Sequence, residues 1–520
     1  MVGAVQVAKP SVDRARAVSA PIIAKPAQWF LLAILLLFIT AGTLIRFQDP
    51  AKKKIWVDET VTLITISSDN FATTKQHLYR KALRPTEVSS LLTRQDPTVS
   101  IELIGANMRL MQRDHGPIYF VLAKVWASLF GNTISSARLL TTIIGVLAIP
   151  CAFFAAAELF NSRLTGWIAA AITSVCPFYY LCGLEARPQT LWVALMLLSY
   201  GFIARACKYN NAKDWWFYAL TSSACVLTYP VNQLVVLTQI AMYCLLKRRG
   251  CWSTSLLVLA PSLLALFAWW CYLGHTSLEY VNAWYGGPAA LSWLVKSDCK
   301  NLVRIFVDYA SLPPLLILPC FLLICASIKS IWKNAPALSK FFILSAAVYP
   351  SVLFLCDLTM GGFRSSIMRY QCPLIIAVQF ATAFFVAANI RSASPLRKRM
   401  AFLILITLLS AGISSQIALA FTETVWTKED RNCSEHAAIL NRFHHPLWLT
   451  TDDCLDLLHS AYLKQQGYLE IVDGSKPVIV VPRDVDAIGA FCSAKTVDLK
   501  PTLTKLGFHP SSASSRVFVR

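Results

Sequence analysis

Apolar runs about as long as a bilayer is thick recur along this chain, separated by short polar connectors. A spanning helix needs about 20 mostly apolar residues, and candidates lie at 29–45, 138–157, 164–182, 188–204, 215–230, 231–246, 252–273, 305–328, 341–358, 370–389 and 400–420. The pattern predicts about eleven spans. Residues 117–130 are also apolar but form a run of only about 14, with Lys124 and Ser128 on one helical face, and predict an interfacial helix. Basic clusters set the orientation: Lys9 to Lys25, Arg163, Arg205 to Lys213, Lys247 to Arg249, Lys329 to Lys340 and Arg391 to Arg399 fall on one side only if 117–130 does not span. Short cytoplasmic loops collect Lys and Arg. The N-terminus is therefore expected in the cytoplasm, with loop 46–137, the turn 183–187, the loops 274–304 and 359–369 and the tail from 421 on the outer face.

Composition agrees. Of 520 residues 56% are apolar and 15% charged, with a mean hydropathy of +0.53, which excludes a soluble, disordered or collagen-like chain. The formal charge of +20 reports cytoplasmic loops and anionic lipid rather than nucleic acid. The first apolar run lacks an A-x-A-like cleavage site, so it reads as a retained helix. The expected architecture is an α-helical polytopic membrane protein: a basic cytoplasmic tail (1–28), a transmembrane domain (29–420) whose outer loop 46–137 contains interfacial helices, and a small α/β domain (421–520) outside the membrane. Within that last domain Leu447–Thr450 and Pro477–Val481 read as strands and Cys454–Lys464 as a helix, while Cys433, Cys454 and Cys492 allow one disulfide.

The predicted spans are almost free of ionisable groups, whereas carboxylates, a histidine and arginines gather where helices emerge on the outer face. This distribution argues against the competing class, a transporter or lipid flippase, which usually carries ionisable groups at mid-membrane depth. Trp56-Val57-Asp58-Glu59 sets two carboxylates beside an aromatic just past the first span, able to take a proton, hold a metal or simply be solvated. Asp114-His115-Gly116-Pro117 places a histidine at a helix entrance, where Pro117 suits the first turn. Glu185 and Arg187 share a tight turn before Pro188, and Arg364, Arg369 and Tyr370 stand at the head of a late span. An arginine at a helix mouth can neutralise a phosphate or snorkel to headgroups.

Taken in order, Asp58-Glu59, His115-Gly116-Pro117-Ile118-Tyr119-Phe120, Ser136-Ala137-Arg138-Leu139-Leu140, Leu184-Glu185-Ala186-Arg187-Pro188 and Met368-Arg369-Tyr370 resemble multi-pass glycosyltransferases that use polyprenyl-phosphate sugars. The chain is similar to the bacterial branch of the dolichyl-phosphate-mannose protein mannosyltransferase family, which includes the aminoarabinose transferases. The likeness runs from about residue 29 to 420 and implies the GT-C fold. It also implies transfer of a sugar, with inversion, from an undecaprenyl-phosphate-type donor to an acceptor hydroxyl on a protein, lipid or polysaccharide at the outer face of the plasma membrane. On this resemblance Asp58 is the general base, with Glu59 orienting it or holding a cation. His115, Arg187, Arg369, Tyr370 and Arg364 are candidates for the donor phosphate, and Glu185 and Trp56 for positioning. A divalent cation at Asp58 and Glu59 is left open. The family usually has His-Pro-Pro where this chain has His115-Gly116-Pro117.

Overall fold

The computed structural model describes residues 25–48, 52–67, 81–93, 101–247, 252–273, 289–309, 314–423, 431–450, 462–472, 478–490, 499–511 and 514–520. Its larger part is a helical bundle. The helices that matter here are α1 (Lys25–Ile45), α2 (Val57–Ile66), α3 (Pro85–Thr93), α4 (Ile101–Met111), α5 (Ile118–Phe130), α6 (Ile134–Phe160), α7 (Arg163–Val175), α8 (Pro177–Gly183), α9 (Gln189–Tyr209), α10 (Ala212–Val226), α11 (Gln233–Lys247), α12 (Trp252–Leu273) and α13 (Leu291–Arg304). They are followed by α14 (Ile317–Asn334), α15 (Ala337–Met360), α16 (Cys372–Ile390) and α17 (Pro395–Phe421).

Among the described residues seven helices are long and apolar enough to cross a membrane, or eight when the bent pair α7–α8 counts as one span. Helices α10, α11 and α12 occupy the remaining predicted spans. The span expected at 305–328 begins later, at Ile317, because residues 305–309 form a turn and coil ahead of it. The 13-residue α5 is too short to span, as its length suggested.

Local chemistry sets the helix ends. Thr133 accepts a hydrogen bond from Ser136 N at 3.1 Å to open α6, and Asn161 closes it in the left-handed region at φ +51°. Pro177 breaks the α7–α8 span, which bends by 59°. The carbonyls freed there are taken up by two buried side chains: Arg46 donates to Thr173 O and Ser174 O at 3.1 and 3.0 Å, and Gln416 donates to Ser174 O at 2.9 Å. The bend aims α8, and with it the turn Leu184–Pro188, at the loop that follows α1.

The C-terminal region after α18 (Arg431–Leu440) is a five-stranded sheet of β1 (Pro446–Thr450), β2 (Tyr468–Ile471), β3 (Ala487–Ala490), β4 (His509–Ser511) and β5 (Ser514–Val519). Its order is β2-β1-β3-β5-β4, with β1 parallel to both neighbours and β5 antiparallel to β3 and β4. The strand predicted at Leu447–Thr450 is present. Residues 478–481 are not a strand; Val480 N instead donates to the buried Glu470 at 2.9 Å. Residues 462–464 begin with a turn, and the rest of the predicted helix, with the three cysteine side chains, lies outside the described residues.

One face of the sheet, with Leu440 of α18, packs on α2 and α3: Val61, Ile64, Val88 and Leu92 share a core with Leu440, Trp448, Leu469 and Val517. The helix that carries Asp58 is therefore held from the side by this domain. Burial pushes the Glu470 carboxyl up to about 7. A carboxyl raised in the folded state binds more protons than in the unfolded chain between its ordinary 4.5 and 7, so stability falls as pH rises through that window. Glu470→Gln is expected to remove that decline, measured as unfolding temperature at pH 5.5 and 8.

Candidate active site

After α1 the chain is pinned before α2 begins. Lys53 donates to Leu419 O and Thr422 O at the end of α17 and to Thr422 Oγ1 at 3.0 Å, and Lys54 N donates to Glu423 O at 3.0 Å. Arg138, in the first turns of α6, reaches the same segment, giving hydrogen bonds to Lys53 O at 2.7 Å and Lys54 O at 3.2 Å. Its remaining donors form a two-pronged pair with Glu59, Nε to Oε1 and Nη2 to Oε2, both at 2.7 Å. Glu59 Oε1 also accepts from Ala186 N at 3.0 Å, and Oε2 from Trp56 N at 3.3 Å. Both charged side chains are wholly buried. Glu59 thus ties the start of α2, the start of α6 and the turn Leu184–Pro188 into one unit.

Asp58 precedes it by about 100° of helical rotation and faces a different set of partners. Its Oδ2 lies 2.6 Å from Arg369 Nη1 and 3.7 Å from Arg187 Nη2. Burial pushes this carboxyl up, but the guanidinium groups of Arg369 and Arg187 outweigh it and hold the group below the ordinary carboxylate value. Arg187 is itself buried. Nη1 donates to Asp58 O, Thr62 Oγ1 and Gln112 Oε1, each at 3.2 Å, and Nη2 lies 3.2 Å from His115 Nε2. His115 Nδ1 faces Asp114 Oδ1 at 2.8 Å. Burial pushes the imidazole below its ordinary value, opposed by Asp114 and aided by Arg187.

Gly116 lets the chain after His115 pass close to the end of α10. Gly116 N donates to Thr228 O at 3.1 Å, and a Cβ at Gly116 would lie 1.8 Å from the backbone oxygen of Leu227. Proline has no N–H to give and adds atoms where none fit. Gly116→Pro is expected to lose folded protein, or activity by at least about tenfold if one hydrogen bond and the His115 position are lost, read by detergent-solubilised yield and turnover.

Arg369 belongs to a short 3-10 turn, Met368–Gln371, ahead of α16, and is a quarter exposed. It lies over the rings of Trp56 at 5.2 Å and Tyr370 at 5.5 Å. Tyr370 adjoins Tyr229, which stacks on Trp192 at 4.5 Å and meets His115 edge-on at 5.0 Å, so aromatics line the side of the site toward the bundle. The structure therefore brings together Trp56, Asp58, Glu59, His115, Arg187, Arg369 and Tyr370 from four distant stretches of chain. Glu185 is buried in the same turn as Arg187.

Arg364 differs from the others. It pairs with Asp357 at 3.1 Å and donates to Gly361 O at 2.7 Å, while Asp357 Oδ2 accepts from Ser365 N at 2.6 Å. Gly362, at φ +111°, passes so close that a Cβ would lie 2.7 Å from the guanidinium. That pairing gives Arg364 an anion of its own and makes it a brace for the turn bearing Arg369. Gln112, Asp114 and Arg138 have no role predicted from sequence; an arginine as the first residue of the apolar run 138–157, needing a carboxylate partner, is the signal for Arg138.

The residues do not suit a divalent cation. Among the described residues no group of three or more His, Cys, Asp or Glu side chains is placed to hold one. Asp58 is met by two guanidinium groups and Glu59 by a third, so a dication between them would displace cations already seated.

The apolar helical bundle joined to a small sheet domain has the GT-C fold. The family model described as dolichyl-phosphate-mannose-protein mannosyltransferase matches residues 114–273, the segment carrying His115, Arg138, Glu185 and Arg187. Among solved structures, ArnT from Cupriavidus metallidurans in the apo state aligns with a TM-score of 0.55 at 13% identity, covering 95% of this chain and 98% of that one. The same protein bound to undecaprenyl phosphate aligns with a TM-score of 0.50 at 14% identity, covering 94% and 97%. No curated protein sequence matches the chain. The fold expected from the sequence is the fold observed.

Proposed function

We propose that this protein is a membrane glycosyltransferase that moves a sugar from a polyprenyl-phosphate donor of the undecaprenyl type to an acceptor hydroxyl. The reaction takes place at the outer face of the plasma membrane and inverts the anomeric carbon. The observation that carries this reading is Asp58 held between Arg369 at 2.6 Å and Arg187 at 3.7 Å. Transfer requires a base at the attacking oxygen and positive charge at the leaving phosphate, and here the two lie side by side.

In this mechanism the acceptor oxygen forms a bond to the anomeric carbon while the bond from that carbon to the phosphate oxygen breaks. The hydroxyl proton goes to Asp58, and the electron pair leaves with the polyprenyl phosphate, where Arg369 and Arg187 meet its charge. A carboxylate paired with a guanidinium is a weak base. A phosphate approaching the exposed side of Arg369 offers that arginine a competing anion, and its departure from Asp58 restores the carboxylate's basicity. The donor is thus expected to bind before the acceptor. Glu59 and Arg138 hold the frame, Trp56 and Tyr370 seat Arg369, and Glu185 steadies the turn bearing Arg187. In this topology the N-terminus is cytoplasmic and the sheet domain is periplasmic.

The test is turnover in proteoliposomes of a radiolabelled undecaprenyl-phosphate sugar offered with envelope lipid and glycan acceptors, using donors of both pentose and hexose type. Release of undecaprenyl phosphate with label passing to an acceptor is the expected result. Flux of a solute or lipid without bond breakage would overturn the proposal.

A further inference from the structure

Arg187 can only donate hydrogen bonds, and its Nη2 stands 3.2 Å from His115 Nε2. For that contact to be attractive Nε2 must present its lone pair. The single proton of the neutral ring then sits on Nδ1, which points at Asp114 Oδ1 at 2.8 Å. We infer that Asp114 is a positioning residue: it fixes the Nδ1–H tautomer of His115, so that His115 accepts from Arg187 and holds that guanidinium beside Asp58. The inference deepens the proposed function and rests on it for the role of Arg187 toward phosphate.

The opposite tautomer, or the doubly protonated ring, would set N–H against N–H and drive Arg187 from its place. The charged groups around His115 all bear on this balance. Asp114 lies on its own segment, Arg187 comes from the turn between α8 and α9, and Asp58 comes from α2. The other neighbours are the rings of Tyr229, 5.0 Å away, and of Phe120 in α5, 6.3 Å away. Asp114 as acceptor at Nδ1 and Arg187 as donor at Nε2 select the same tautomer; the aromatic edges carry no strong acceptor and Asp58 is engaged by Arg369.

Asp114→Asn keeps the shape but removes the charge and can turn its amide N–H rather than its oxygen to Nδ1, which favours the wrong tautomer. Turnover is expected to fall about 10- to 100-fold, the range of one charge-assisted hydrogen bond, with Asp114→Glu recovering part of it. Activity should drop on the acid side as the ring protonates. Without the carboxylate the ring holds its second proton less tightly, so that acid limb moves to lower pH in Asp114→Asn, a shift that general loosening of the fold would not produce.

The direct readout is independent of turnover: nitrogen-15 NMR of the full-length protein labelled at histidine, with the His115 signals assigned through His115→Gln. At neutral pH wild type should show a protonated Nδ1 and a bare Nε2, with the assignment exchanged in Asp114→Asn and retained in Asp114→Glu. A protonated Nε2 in wild type, or an unchanged tautomer in a folded Asp114→Asn, overturns the inference. If Asp114→Asn does not fold, the wild-type and Asp114→Glu spectra decide. The expected spectra without sugar transfer would instead count against the proposed function alone.

Discussion

Asp58→Asn is expected to lower sugar transfer by about 10²- to 10⁴-fold, the usual loss on removing a general base, without lowering the yield or unfolding temperature of the protein. The substitution keeps the side chain's size and leaves an oxygen able to accept from Arg369, so the turn Met368–Gln371 and α2 have no reason to move. The negative charge that holds Arg369 is gone, however. The arginine is then free to engage a phosphate, and affinity for undecaprenyl phosphate is expected to hold or rise while transfer falls. That opposition separates a base from a binding residue. Purified Asp58→Asn that turns over like wild type would remove the central assignment. Loss of both transfer and lipid binding would move Asp58 to the binding role.

Glu59, the next residue, is expected to behave in the opposite way. Removing either partner of the wholly buried Glu59–Arg138 pair leaves an uncompensated charge, at a cost of about 3–5 kcal/mol. Arg138→Ala also abandons Lys53 O and Lys54 O, and Glu59→Ala abandons the backbone N–H of Ala186. Both variants should therefore give little folded protein or a marked drop in unfolding temperature, measured in detergent by the loss of monodisperse material on heating. Replacing both residues together by apolar ones of similar volume should recover part of the stability, since it is the stranded charge that costs most. If Glu59→Ala is as stable as wild type, the joining role assigned to this pair is wrong.

These two neighbouring carboxylates also mark how far a sequence can be read. Their presence just past the first apolar run was plain, but a dipeptide does not say which member meets solvent. The division of labour arises because adjacent helical residues point about 100° apart, and α2 is wedged between the sheet domain on one side and α6 on the other. The same holds for the arginines. Arg364 and Arg369 stand five residues apart at one helix mouth and looked equivalent; the glycine pair at 361 and 362 turns the first back onto Asp357 and leaves the second for Asp58. The span misplaced at 305–328 has a similar cause, since its apolar run extends into coil where residues 305 and 306 are buried by the tertiary core.

What the amino-acid sequence determined by itself was the class. Apolar runs of bilayer length must become helices, because backbone groups in lipid have no partner but their own chain. Basic clusters on the other connectors, and the carboxylates, histidine and arginines at the helix ends, then predict the chemistry at one end of the bundle. What the tertiary structure alone decided was pairing: which arginine neutralises which carboxylate, which carboxylate stays accessible, and which arginine meets the imidazole. Those choices depend on distances of 2.6 to 3.7 Å between residues as many as 311 positions apart. No local pattern encodes them, since each depends on how the bent span, the braced turn and the outer sheet press the same few side chains together.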